Sequence, residues 1–148
     1  MKKTIACFFF CLSVPLLLAS AVFAHCEIPC GIYDDELRIK LIREDAATIE
    51  KSMSQILVIE KEADHNANQL VRWIVNKEDH ADKLQKVVSQ YFMTQRIQPD
   101  TKDYQKKISL LHQMLIYAMK CKQTTDTANV RKLLSLTDEF QKLYFQKE

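Results

Sequence analysis

Four stretches of the chain carry apolar residues at the intervals of three, four and seven residues that are typical of an amphipathic helix. They span residues 37–57, 70–92, 104–119 and 130–144. The chain has one glycine and three prolines, which leaves little material for the many tight turns of a β architecture. Four helices of roughly 20 residues joined by short polar links pack most simply as an antiparallel up-down-up-down bundle. The predicted fold is therefore all-α, with the four-helix bundle spanning residues 34–148.

Polar and helix-breaking residues mark the predicted ends of these helices. Asp34 or Asp35 can cap the first helix, and the polar stretch 60–68 separates it from the second. Pro99 ends the second helix, and Thr101 is the predicted cap of the third. Four aromatic side chains are candidates either for the core or for faces where bundles meet: Trp73, Tyr91, Phe92 and Tyr144.

The first 24 residues have the three parts of a secretory signal peptide. Lys2 and Lys3 precede a mainly apolar run over residues 5–18, and small residues lead to Ala24. An uncleaved membrane anchor is the alternative, but the run is shorter than the roughly 20 residues that a spanning helix needs. Cleavage after Ala24 predicts an exported protein, periplasmic or extracellular, without a stable membrane anchor.

The charge balance of the mature chain argues against binding to nucleic acid. Without Lys2 and Lys3, the chain has 19 basic and 19 acidic side chains. Attraction to nucleic acid or to an anionic membrane generally needs an excess of positive charge, so we expect neither as a partner. Three cysteines remain, Cys26, Cys30 and Cys121, and their odd number leaves at least one thiol unpaired.

Cleavage after Ala24 places an unusual density of metal-binding groups at the new amino terminus. His25 contributes a free α-amine and an imidazole, and Cys26 and Cys30 contribute two thiols. The amine and the thiols have ordinary pKa values of about 8 and 8.5, so a metal can displace their protons near neutral pH. The Cys26 amide nitrogen ligates as well if a metal strips its proton. Copper(II) and nickel(II) favour such a nitrogen-rich, square-planar set, whereas zinc prefers a tetrahedron.

Pro29 and Gly31 predict that this segment is bent. Pro29 fixes φ and removes a backbone donor, and Gly31 permits a conformation that other residues resist. A tight turn would bring both thiols to one ion, and we call residues 25–33 the hook. The alternative is that the two cysteines form a small disulfide beside an ordinary turn, with a solvated amino terminus.

The hook resembles the amino terminus of the nickel-dependent superoxide dismutases. The shared pattern is His-Cys-x-x-Pro-Cys-Gly-x-Tyr at a processed terminus, followed by a bundle of four helices. The matching residues are His25, Cys26, Pro29, Cys30, Gly31 and Tyr33. A second stretch that resembles the family is Ser89-Gln90-Tyr91-Phe92.

The resemblance implies an oxidoreductase that disproportionates superoxide to dioxygen and hydrogen peroxide, with one nickel ion per subunit cycling between the +2 and +3 states. It assigns as ligands the amine of His25, the amide nitrogen and thiolate of Cys26, and the thiolate of Cys30. The imidazole of His25 would join in the +3 state. Tyr33 would close the vacant face of the nickel and help admit the small anion; the alternative is a hydrophobic staple for the first helix. A homohexamer is also implied.

The surroundings of the implied nickel site depart from the family pattern. Glu27 stands where the family often has aspartate. The family usually holds the axial imidazole with a glutamate on the first helix and an arginine from elsewhere. Glu44 is the candidate glutamate, and residues 76–80 contain no arginine.

Two other classes of function stay open on the residues alone. One is an exported nickel- or copper-binding or delivery protein without catalysis, and the other is a structural helical bundle stapled by a disulfide. The remaining histidines, His65, His80 and His112, lack a clear metal-ligand spacing and are expected at the surface or in the core. Cys121 is expected to be a buried thiol.

Overall fold

The computed structural model describes residues 31–62, 64 and 66–146. The leader 1–24 and the hook residues His25, Cys26 and Cys30 lie outside the described residues, as does His65. From Gly31 onward the chain forms one compact unit.

Four α-helices and one π-helical segment make up this unit. Helix α1 spans Asp35–Ile59, α2 spans Ala67–Lys86, α3 spans Tyr104–Gln123 and α4 spans Thr127–Tyr144. Helix α2 runs directly into the π-helical segment, Val87–Arg96. No strand occurs in residues 31–62, 64 or 66–146. The predicted all-α fold is confirmed, and no helix in the described part of the chain is long and apolar enough to span a membrane.

Polar side chains begin three of the four helices. The Asp34 carboxylate accepts a hydrogen bond of 2.9 Å from the backbone N–H of Leu37, so Asp34 is the cap of α1. Asn66 and Asp126 cap α2 and α4 in the same way, each through its side-chain oxygen. These bonds satisfy N–H groups that a helix cannot pair internally.

The prediction that Thr101 caps the third helix is wrong. Helix α3 is preceded by Asp103, whose φ of 56° is left-handed. The Thr101 hydroxyl accepts a hydrogen bond of 3.0 Å from the N–H of Gln98, and its carbonyl accepts one of 3.0 Å from Tyr104. Thr101 therefore stabilises the turn before α3 rather than the first turn of the helix.

Each helix packs against the next one along the chain, and α4 packs back against α1. Because the connections are short, neighbouring helices run antiparallel, and the predicted up-down-up-down bundle is confirmed. All four helices and the π-helical segment contribute to the core. Its largest fully buried side chains include Phe92, Phe140, Met53 and Leu111.

The four aromatic candidates take different places. Tyr91 and Phe92 are buried and meet edge to face, with ring centroids 5.1 Å apart. Tyr144 lies at the margin of the core, where its ring meets Phe92 at 5.6 Å. Trp73 is half-buried, and the Lys51 ammonium lies 5.9 Å from its ring centroid.

Some residues of the apolar stripes are exposed, and a lysine is buried instead. Leu37, Ile74 and Met119 are exposed although each fits its helical stripe. Lys77 is buried on α2, and its ammonium donates to the carbonyls of Cys121 and Lys122 at the end of α3. The lysine thereby satisfies carbonyls that have no partner within α3, and this offsets the cost of burying its charge.

Candidate functional site

The described part of the hook begins at Gly31. Gly31 has a φ of 81°, which confirms the prediction that this position needs a conformation other residues resist. No described atom lies within 4 Å of the place where a Cβ would stand, so the backbone conformation, and not lack of space, favours glycine. The backbone is therefore left-handed at Gly31, the first described residue of the hook.

Tyr33 is the one predicted site residue that the structure describes, and its ring is held by two side chains. The Arg96 guanidinium lies over the ring, 4.4 Å from its centroid. The Tyr91 ring meets it edge to face at 5.9 Å. Tyr33 is 43% exposed, and among the described residues its hydroxyl has no hydrogen-bond partner.

The hydrophobic-staple alternative for Tyr33 does not fit these contacts. A staple pairs the residue before the cap with an apolar residue in the first turn of the helix. With Asp34 as the cap, that position is Arg38, whose guanidinium lies over the ring of Tyr91 at 5.0 Å. Tyr33 instead contacts residues of the π-helical segment.

The first residue of α1, Asp35, is the centre of a partly buried polar cluster. Its Oδ1 accepts hydrogen bonds from the Tyr91 hydroxyl at 2.6 Å and from Arg96 Nε at 2.8 Å. Its Oδ2 accepts from Arg96 Nη2 at 2.8 Å and from the Tyr144 hydroxyl at 2.8 Å. We call Asp35, Tyr91, Arg96 and Tyr144 the Asp35 anchor. It ties the start of α1, directly after the hook, to the π-helical segment and to the end of α4.

The electrostatics of the Asp35 anchor favour the charged carboxylate. Burial alone would raise the pKa of Asp35, but hydrogen bonds from Arg96, Tyr91 and Tyr144 outweigh it and hold the pKa below its ordinary value. Burial and the bond to Asp35 raise the pKa of Tyr91, and they raise the pKa of Tyr144 to about 12. Both tyrosines therefore stay protonated at neutral pH and act as donors.

The π-helical segment brings Tyr91 and Arg96 to the same carboxylate. Its hydrogen bonds join residues five apart, as in the bond of 2.9 Å from the Ile97 N–H to the Phe92 carbonyl. Such segments are rare and occur frequently at functional sites. The stretch 89–92, noted for its resemblance to the family, lies within the segment.

Sequence reasoning missed Asp35, Arg96 and Tyr144 as neighbours of the hook. In the sequence, Asp35 is recognisable only as a candidate helix cap, and nothing distinguishes Arg96. The three lie far apart in the chain, and no motif or spacing links them. Only Tyr91 and Phe92 carried a signal, through the resemblance.

We expect Asp35→Asn to lower the free energy of unfolding by about 2–4 kcal/mol at pH 7, because a neutral amide would turn an NH2 group toward the donors around it. Because the pKa of Asp35 is lowered by folding, its stabilisation is present above the ordinary value of 3.8 and is lost as the pH falls through the lower folded value. The difference between wild type and variant should therefore shrink below pH 3.8. Urea denaturation of the nickel-free protein at several pH values measures it.

Asp138→Asn is the matched control for this prediction. Asp138 pairs with Arg43 at 2.6 Å, but its side chain is 51% exposed. Exposed pairs contribute little, so the control should cost no more than about 1 kcal/mol. Equal losses in the two variants would contradict a special role for Asp35.

The other candidate groups lie away from the Asp35 anchor. His80 Nδ1 bonds to Asp45 Oδ1 at 2.7 Å between α1 and α2. Cys121 is buried as expected, and burial raises the pKa of its thiol to about 11. His112 and Glu44 are exposed. Within the described residues, no three His, Cys, Asp or Glu side chains come together as a metal site requires.

Two crystal structures of NiSOD share this fold. One is a tyrosine-to-phenylalanine mutant, 20% identical, and the other is an aspartate-to-alanine mutant, 21% identical. Each match has a TM-score of 0.65 and covers 82% of this chain and 96% of the other. No curated protein sequence matches this chain significantly.

The family comparison covers nearly all of the chain. Residues 20–148 match the family described as nickel-containing superoxide dismutase. The match includes the complete hook and every described helix. The chain therefore belongs to the nickel-containing superoxide dismutases, and it is an enzyme that disproportionates superoxide with a nickel cofactor.

Proposed function

We propose that the nickel of this superoxide dismutase is held by the hook after cleavage behind Ala24. The residues that would hold it are His25, through its amine, Cys26, through its amide nitrogen and thiolate, and Cys30, through its thiolate, and the His25 imidazole would join them when the metal is oxidised. The observation that carries the proposal is the concentration of these donors in six residues of a family member. The left-handed conformation of Gly31 supports a bent segment at this point.

The donor set fits nickel. Amine and amide nitrogens with two thiolates suit the square-planar preference of nickel(II) better than the tetrahedral preference of zinc. Nickel supplies a couple that oxidises one superoxide to dioxygen and reduces another, with two protons, to hydrogen peroxide. Anionic thiolate and amide donors push electron density onto the metal, which makes the higher oxidation state reachable.

We also assign Tyr33, the last residue of the hook, to the active site. It follows Cys30 by three positions, and its hydroxyl has no partner among the described residues. A phenol hydroxyl can donate a hydrogen bond to a small anion. We assign Tyr33 to close the open face of the site and to admit superoxide.

Cleavage of the leader would create the active centre, because the His25 amine is part of a peptide bond until Ala24 is removed. The signal-peptide pattern supports cleavage during export, with nickel loading in the periplasm or outside the cell. Export and formation of the metal site would then be a single event.

We also propose that the enzyme is a homohexamer, as the family resemblance implies. Val71, Ile74 and Val75 form an exposed apolar stripe on α2, with Val71 58% exposed. Exposed apolar residues that lie next to one another are more typical of interaction surfaces than of the free surface of a monomer. The stripe supports assembly of several chains.

The decisive experiment is reconstitution of the mature chain, starting at His25, with nickel. We expect one nickel per chain, superoxide dismutation and a mass in solution of six chains. Nickel binding without dismutation would favour the storage or delivery function. If the metal-free chain has a mass two hydrogens below that of the fully reduced chain and takes up no nickel, the disulfide between Cys26 and Cys30 is established instead.

A further inference from the structure

We infer that Arg96 is a positioning residue, which fixes the ring of Tyr33 for the dismutation reaction. The inference rests on the proposed function of Tyr33 and extends it to the π-helical segment. It names a residue far from the hook in the chain, and it follows from three sets of contacts.

The first set of contacts fixes the Arg96 guanidinium. Two of its nitrogens, Nε and Nη2, each donate a bond of 2.8 Å to a different oxygen of Asp35. A two-pronged bond of this kind sets the plane of the guanidinium as well as its position. The Tyr91 and Tyr144 hydroxyls hold the same carboxylate from other directions.

The second set of contacts places Tyr33 on that fixed group. The Tyr33 ring centroid lies 4.4 Å from the Arg96 Cζ atom, which is within the range of a cation–π contact. The only other ring contact of Tyr33 among the described residues is with Tyr91, at 5.9 Å. Among the described residues, the ring contacts with Arg96 and Tyr91 are the ones that orient the Tyr33 side chain.

The third set of contacts explains why the ring can be held without being buried. Tyr91 is 3% exposed and is held by Asp35 on one side and by the Arg38 guanidinium over its ring. Arg96 and Tyr91 are therefore both held in place by other side chains, and the half-exposed ring of Tyr33 packs against them. The substitution Arg96→Lys would keep the positive charge. It would lose the two-pronged hydrogen bond to Asp35 and the planar group that lies over the Tyr33 ring.

The test observes Tyr33 directly in the nickel-free mature chain labelled with 3-fluorotyrosine. The chain has five tyrosines, and Tyr33→Phe assigns the Tyr33 fluorine resonance. We expect Arg96→Lys to move this resonance toward the position of free fluorotyrosine. Tyr104 and Tyr117, on α3, should keep their positions and report that the bundle is folded.

Two further variants sharpen this measurement. Arg72→Lys makes the same substitution at an exposed position of α2 and should leave the Tyr33 resonance in place. Arg96→Gln is measured in parallel in case Arg96→Lys disturbs folding, because a planar amide can still donate to Asp35. A Tyr33 resonance that does not move in a folded Arg96 variant overturns the inference.

The second readout is a double-mutant cycle on dismutation by the nickel-loaded enzyme. Arg96→Lys should lower kcat/KM between roughly tenfold and a hundredfold, the cost typical of misplacing a group by about 1 Å. In a Tyr33→Ala background, the same substitution should have little further effect, whereas a merely structural role would give equal losses in both backgrounds. Equal losses overturn the inference. Unchanged dismutation in Tyr33→Ala alone overturns the proposed role of Tyr33 and the inference with it.

Discussion

Nickel-dependent dismutation is expected to disappear when one extra residue is left in front of His25. The extension converts the terminal amine into an amide, which would remove one of the proposed nitrogen donors and move the imidazole to an internal position. Loss of a partner outside the coordination sphere already costs up to about 100-fold in metal affinity or activity, so loss of a ligand should cost more. Dismutation and bound nickel are compared between chains that start at Ala24 and at His25.

The full precursor provides the control for this prediction. It contains the same hook residues behind residues 1–24, so it tests whether the free amine or only the sequence of the hook matters. We expect the precursor to bind no nickel at the hook and to be inactive. An active, nickel-loaded precursor of 148 residues would refute both the amine ligand and the coupling of export to formation of the site.

Replacing either hook cysteine by alanine should abolish dismutation and tight nickel binding. Each of Cys26→Ala and Cys30→Ala removes a thiolate, and we expect activity to fall by more than about 100-fold in both. With one thiolate fewer, the remaining donors would also stabilise the +3 state of nickel less than the complete set does. Metal analysis and a dismutation assay on mature protein measure the two effects separately.

Cys121→Ala is the matched control for the cysteine variants. Cys121 is buried near the end of α3, and the raised pKa of its thiol keeps it protonated at neutral pH. A protonated, buried thiol is a poor metal ligand, so this variant should retain nickel and activity. Its cost should appear instead as a small loss of stability, about 1 kcal/mol. Loss of nickel from Cys121→Ala would mean that the ligand set differs from the hook.

Local patterns along the chain were sufficient to predict the bundle. Apolar periodicity identifies four helices because the face that packs inward repeats with the turn of the helix. A cap at Asp34 or Asp35 was predictable because capping depends on a side chain and an N–H nearby in the chain, and the structure assigns it to Asp34. Thr101 was predicted incorrectly because several polar residues between Pro99 and α3 can start a helix. In the structure, Thr101 belongs to the turn after Pro99, and Asp103 is the residue that precedes α3.

The candidate ligands were also predictable from local sequence, for a different reason. A terminal amine, an amide nitrogen and two nearby thiols can chelate one ion because they are close along the chain. The single glycine at position 31 indicated a conformation that other residues resist, for the same local reason, and its φ of 81° confirms this. The assignment of these donors to nickel remains a prediction for the residues before Gly31.

The surroundings of Tyr33 depend on contacts between distant parts of the chain. Asp35 is 56 positions from Tyr91, 61 from Arg96 and 109 from Tyr144. These residues meet only because α1, the π-helical segment and α4 pack together, and no short-range pattern encodes that meeting. The fold and the proposed metal-binding chemistry thus follow from neighbours in sequence, whereas the support of Tyr33 follows from helix packing, which brings three separated side chains to the Asp35 carboxylate.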